Sequence, residues 1–268
     1  MWSPAPIDPV RYSTSWALSP LAYASLRALI SFYIFTSLIV ILSIDGERSP
    51  SLARQHFSYF TNLTFWGLGF YHAFAALHTA TYWLNGRPLL ARWAGWLQQL
   101  HALFYTTVVT YPFIVTIVFW GLLFNGSFKD RFAAWSNVTE HALNSVFALL
   151  ELILARAPSP PWLHALWLVI MLSLYLAVAF ITFADQHFYV YGFLDDRKHS
   201  RGVVAGYIIG ILVLAIVVFI VVKFVILGRE KAVKKMGKGG GQLQTRGGTT
   251  AFMSVRADEV ELRSFHHK

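Results

Sequence analysis

Six long, mostly uncharged apolar runs constrain this chain more than any other feature. They fall at roughly 19–44, 58–84, 100–124, 136–155, 162–184 and 203–227. A run of about 18 or more apolar residues reads as a membrane span, because a helix rising ~1.5 Å per residue then crosses a hydrocarbon core ~30 Å thick. A soluble fold cannot hide several such runs. Only 13% of the residues are charged, against about a quarter in soluble domains. The expected fold is therefore all-α: a polytopic membrane bundle of about six transmembrane helices over 19–227.

Punctuation supports these limits. Asn85-Gly86-Arg87-Pro88 closes the second run, Asn125-Gly126-Ser127 the third, and Pro158, Pro160 and Pro161 separate the fourth from the fifth. Pro112 is expected to kink the third span, which lipid tolerates. Residues 1–18 form a polar, Pro-rich segment whose only cation, Arg11, does not make the basic head of a secretory signal. Residues 228–268 form a basic, Gly-rich tail with no sustained apolar period, expected to be disordered.

The formal net charge is +9, and from Arg229 onward nine Lys/Arg stand against four Asp/Glu. Six spans place both termini on one side. Near the membrane that side carries nine cations, including Arg11, Arg87, Arg92 and Arg156, and the other side carries seven. The positive-inside rule then makes both termini cytosolic in a multi-pass protein of the endomembranes or plasma membrane. Among the sequons at Asn62, Asn125 and Asn137, Asn125 is the plausible acceptor on the far side. The tail suits contact with anionic lipid. Nucleic acid is not an expected partner, because no folded basic domain accompanies the charge. With no cysteine, disulfides, thiol nucleophiles and cysteine metal sites are excluded. No metal centre or cofactor is expected.

Polar residues within apolar runs are costly and mark function by default. The second run carries Thr61, Thr64, Tyr71 and His78 at helical spacing. The fourth carries Asn137, His141, Asn144 and Glu151 at offsets that keep one face. Both runs begin on the non-cytosolic side, so Thr61 and His141 are expected at similar depth. The fifth run delivers Asp185, His187 and Tyr189 to that side. A plain reading competes with this one: Thr in membrane helices commonly bonds backbone, interfacial His is commonly amphipathic filler, and Glu151 could simply tie helices together.

Tyr59-Phe60-Thr61-Asn62-Leu63 and the stretch from Asn137 to Glu151 resemble the two signature regions of the androgen-induced gene product family, which includes the androgen-dependent regulator of tissue factor pathway inhibitor. Tyr189-Val190-Tyr191-Gly192-Phe193-Leu194 resembles that family's aromatic loop before its last span. The resemblance implies a multi-span hydrolase of fatty acid esters of hydroxy fatty acids, with Thr61 as nucleophile and His141 as base. Asn62 and Leu63 depart from the two apolar residues that usually follow the family threonine, so Thr64 stands as an alternative nucleophile. Asn137, Asn144 and Tyr189 are candidate oxyanion donors, and Asp185 is a candidate partner to orient His141. The expected partners are membrane lipids and a lipid-ester substrate. A transporter or channel, a non-catalytic membrane scaffold, and a haem cytochrome ligated from among His56, His141, His187, His78, His101 and His164 are the rival classes.

Overall fold

The structure, a computed structural model, describes residues 6–247. Ten α-helices follow one another in this span: α1 (Pro9–Ser13), α2 (Pro20–Arg48), α3 (Pro50–Gln55), α4 (Phe60–Asn85), α5 (Gly95–Val108), α6 (Tyr111–Val118), α7 (Arg131–Val138), α8 (Asn144–Leu154), α9 (Leu163–Gln186) and α10 (Arg201–Lys235). Among the described residues the one extended pairing is an isolated antiparallel bridge between Ser15 and Ala155. The limits follow local chemistry. Ser19 caps α2 ahead of Pro20, Ser200 caps α10, and Asp130 caps α7 through a 2.7 Å bond from the Ala133 N–H. Gly86, with φ of 68°, ends α4 in the left-handed conformation that glycine adopts without a Cβ clash.

Four rods are long and apolar enough to cross a membrane: α2, the Gly95–Leu123 rod containing α5 and α6, α9, and α10. They mark this as an all-helical membrane protein. The Gly95–Leu123 rod breaks at Val109 and Thr110, and Pro112 sits in the first turn of the new segment, where its missing N–H costs nothing. Two π-helical turns interrupt the regular winding. Phe119–Leu123 ends the α6 rod, and Thr139–Leu143 joins α7 to α8.

The tail departs from expectation. α10 continues to Lys235, eight residues past the expected end at 227. Beyond it the chain lies along one end of the bundle: the Gln242 N–H donates to Ser15 O at 3.0 Å and the Arg246 N–H to Trp83 O at 2.9 Å. Backbone pairing, which composition does not reveal, holds these residues. The remainder of the tail, from 248, lies outside the described residues.

Packing is densest between α2 and α4. A Cβ on Gly69 would approach Ile34 Cγ2 to 2.9 Å, so glycine is what lets the helices come this close, and the Ser31 hydroxyl donates to Gly69 O at 3.0 Å across the contact. Nearer the start of α2, Arg27 forms a buried ion pair with Glu151 of α8, both side chains 1% exposed. Arg27 Nε reaches Glu151 Oε2 at 3.1 Å, and Nη1 reaches Thr79 Oγ1 at 2.6 Å. The hydroxyls of Tyr23 and Tyr71 donate to the carboxylate at 3.0 and 2.9 Å. Such a pair is tolerable away from water only when the other donors and lone pairs are matched, as they are here.

Candidate active site

Thr61 occupies the first turn of α4. Tyr59, in extended conformation, ends the preceding turn, so the N–H groups of Phe60 and Thr61 have no partner within the helix. The Tyr191 hydroxyl fills part of that gap. It accepts from the Phe60 N–H at 3.1 Å and lies within hydrogen-bond reach of Thr61. Desolvation raises the Tyr191 phenol above its ordinary range and keeps it neutral. Thr61 is 8% exposed.

His141 lies in the π-helical turn between α7 and α8 and is 9% exposed. Its position is fixed from three directions. Nδ1 stands 3.0 Å from Asn137 O and donates to that carbonyl, which leaves Nε2 as the unprotonated nitrogen of the neutral ring. The ring stacks on Phe119, from the other π-helical turn, at 3.6 Å between centroids. The π turn breaks the ordinary i to i+4 bonding, and the His141 carbonyl receives the Thr116 hydroxyl at 2.6 Å and the Trp120 indole N–H at 3.3 Å. π-turns of this kind recur at functional sites because they re-aim one side chain without ending the helix.

Thr61, His141, Asn137, Glu140, Phe119 and Tyr191 line one partly polar pocket. Thr61, Phe119 and Tyr191 also line a second, apolar cavity of about 90 Å³ between α6, α9 and α10. Thr61 thus stands where a polar and an apolar compartment meet. Glu140 lines the pocket with a buried Oε1 that has no partner. Nothing in the sequence stripe singled it out, because it lies one position off the chosen face.

The other candidates are placed differently. Asn137 lines the pocket, but its amide Nδ2 donates to Ala133 O at 2.8 Å. Asn144 is fully buried, donates to Glu140 O at 3.1 Å, and is not among the pocket-lining residues. The inserted residue of the π turn accounts for this: it rotates α8 by about 100° relative to α7, so Asn137 and His141 face the pocket while Glu151 joins the ion pair. Asp185 is exposed and pairs with Arg54 at 3.4 Å, and the group that orients His141 is the Asn137 carbonyl. Tyr189 donates to Asp196 at 2.6 Å and stacks on Phe183; Tyr191, two residues on, is the tyrosine at Thr61. The Thr64 hydroxyl donates to Thr61 O at 2.9 Å and lines a separate groove with Leu100 and Thr107.

At the other end of the bundle, His78 and His101 pack edge to face with centroids 5.0 Å apart, an arrangement with no slot for a flat macrocycle between the rings. Among the described residues no group of three or more His, Cys, Asp or Glu is arranged to hold a metal ion. Compared with family models, curated proteins and solved structures, the chain shows no match.

Proposed function

We propose that this protein is an integral membrane lipid-ester hydrolase with Thr61 as nucleophile and His141 as general base, acting on fatty acid esters of hydroxy fatty acids or related lipids. The observation that carries the reading is the shared pocket: Thr61 and a His141 ring with its Nε2 free both line it. The resemblance of the Thr61 and His141 segments to the androgen-induced gene product family points the same way.

In this reading Thr61 Oγ attacks the ester carbonyl carbon and His141 Nε2 takes the hydroxyl proton. The oxyanion meets the positive dipole of the α4 N-terminus, where the Tyr191 hydroxyl, which accepts from the Phe60 N–H, has its own proton to donate. Collapse breaks the bond to the alcohol oxygen, which leaves with the proton from His141. Water then attacks the acyl-threonine, gives its proton to His141, and releases the acid as Thr61 regains a proton. The carbonyl end of the acyl chain enters the apolar cavity and its remainder extends toward the lipid, while the alcohol portion occupies the polar pocket. Exposed Ser173 lines the apolar cavity, so a chain can enter sideways between α9 and α10.

The topology belongs to the same proposal. α4 and the α7–α8 rod complete six crossings; their inward-facing polar residues lower their mean hydropathy. The end of the bundle bearing Arg11, Arg87, Arg156 and Arg229 faces the cytosol with both termini.

The test is covalent labelling of the detergent-purified protein with a fluorophosphonate probe, beside Thr61→Ala and His141→Ala. Labelling of the wild type that both variants lose, with monodisperse elution retained, is the expected result. Labelling that survives both changes, or no labelling of folded wild type, moves the function to a transporter or scaffold.

A further inference from the structure

The cytosolic end of the proposed topology holds a cavity that the hydrolase chemistry does not use. Arg11, Arg156, Arg229 and Lys234 line it with a single carboxylate, Glu230, and an interfacial aromatic, Trp16. These cations come from four parts of the chain: α1, the turn after α8, and two successive turns of α10. The three arginines are held in place by backbone carbonyls and one hydroxyl. Arg11 Nε donates to Arg156 O at 3.1 Å, Arg156 Nη1 donates to Thr14 Oγ1 at 3.0 Å and Nη2 to Gly239 O at 3.3 Å, and Arg229 Nη1 donates to Leu152 O at 2.6 Å. Glu230 pairs with Arg11, which leaves Arg156, Arg229 and Lys234 around the cavity without a carboxylate partner among the described residues. Burial, and to a lesser degree the neighbouring Arg11, lower the Arg156 guanidinium below its ordinary value.

Half-buried guanidinium groups of like charge, with the exposed Lys234 beside them, cost free energy until an anion joins them. Guanidinium groups match phosphate oxygens by paired N–H donors, and Lys adds a point charge. Trp16 donates its indole N–H to Ile153 O at 2.7 Å and sets an aromatic ring at the rim, as is usual at headgroup depth. We propose that this cavity binds the phosphate of an anionic lipid headgroup from the cytosolic leaflet, and that the bound lipid ties the N-terminal segment, the turn after α8 and the end of α10 into one unit.

Thermal unfolding of the full-length protein in neutral-detergent micelles tests this, with phosphatidylserine, phosphatidylcholine or inorganic phosphate added in parallel. Phosphatidylserine is expected to raise the midpoint in proportion to its mole fraction, and phosphatidylcholine to leave it unchanged. Arg156→Gln and Lys234→Gln, made separately, are expected to remove most of the shift. Lys238→Gln, outside the cavity, is expected to keep it. An equal loss in Lys238→Gln reduces the effect to diffuse charge on the tail and overturns the site. A shift of the same size with inorganic phosphate assigns the cavity to a soluble anion and overturns the lipid. No shift with either overturns both. If Arg156→Gln fails to fold, Lys234→Gln alone decides, because its side chain holds no backbone bond in the cavity. The outcome is independent of whether Thr61 is a nucleophile.

Discussion

The interior holds two polar regions that share α4 and the α7–α8 rod, the first also drawing in α2, and the groups at their centres are matched to different degrees. Around Arg27 and Glu151 the guanidinium and the carboxylate are matched by Tyr23, Tyr71, Thr79 and backbone oxygens. Around Thr61 and His141 the matching is incomplete: Glu140 Oε1 and Asn144 Oδ1 are buried without partners, and two π turns interrupt the helices. A satisfied network rigidifies and sets helix register. An unsatisfied one is where a substrate or water finds open valences. α4 and the α7–α8 rod are thus clamped at one level and left receptive at the other.

Breaking the clamp should cost the most. Glu151→Ala strands a buried guanidinium and is expected to destabilise the fold by about 3–5 kcal/mol. A thermal melt in detergent should show this, with probe labelling lost through unfolding. Replacing both partners, Arg27→Met with Glu151→Leu, should recover most of the stability. If the double variant melts no higher than the single, the pair is not the source of the loss.

Gly69→Ala probes the clamp by sterics. The added Cβ must displace Ile34 or the Phe35 ring, for an expected loss of about 1–3 kcal/mol. An unchanged melt would mean that α2 and α4 part at no cost.

Thr116→Val probes the receptive region instead. It removes the hydroxyl that holds the His141 carbonyl. The midpoint should fall little, by an amount near the ~1 kcal/mol of one hydrogen bond. Labelling at Thr61 should slow about tenfold through looser placement of the base, and Thr116→Ser should restore it. Equal slowing by Val and Ser would break the positioning argument.

A further effect, read against pH and not by truncation, concerns His56, in the turn before α4. Its Nε2 accepts the Trp66 indole N–H at 3.3 Å, and burial lowers its pKa to about 4. Its stabilising contribution is complete above the unfolded value of ~6.5 and is lost as pH falls toward about 4. The melting temperature should therefore decline across that window, with altered Trp66 fluorescence, and His56→Gln should flatten the decline.

Much of the fold was legible because the membrane demands long apolar runs, and the helix limits fall close to the punctuation that marked them. The site was legible only in part. Thr61 and His141 stood out by residue type, depth and resemblance. Tyr189 was chosen where Tyr191 makes the contact, because two aromatic neighbours in one loop cannot be told apart without the backbone path. Arg27 passed unremarked: its partner Glu151 is 124 residues away, and no local pattern links them. The π turn was invisible for a deeper reason. Helical periodicity assumes constant winding, and one extra residue re-phases everything after it.

That extra residue has an evolutionary consequence. Deleting one position between Thr139 and Leu143 would restore ordinary winding and turn His141 away from Thr61 relative to the face that carries Glu151. The buried pair would then survive in a chain that still inserts and folds, while Thr61 and His141 would be uncoupled. In the hydrolase reading, an enzyme and an inert membrane scaffold are one codon apart, and relatives should be sorted by the length of this segment before their catalytic residues are compared.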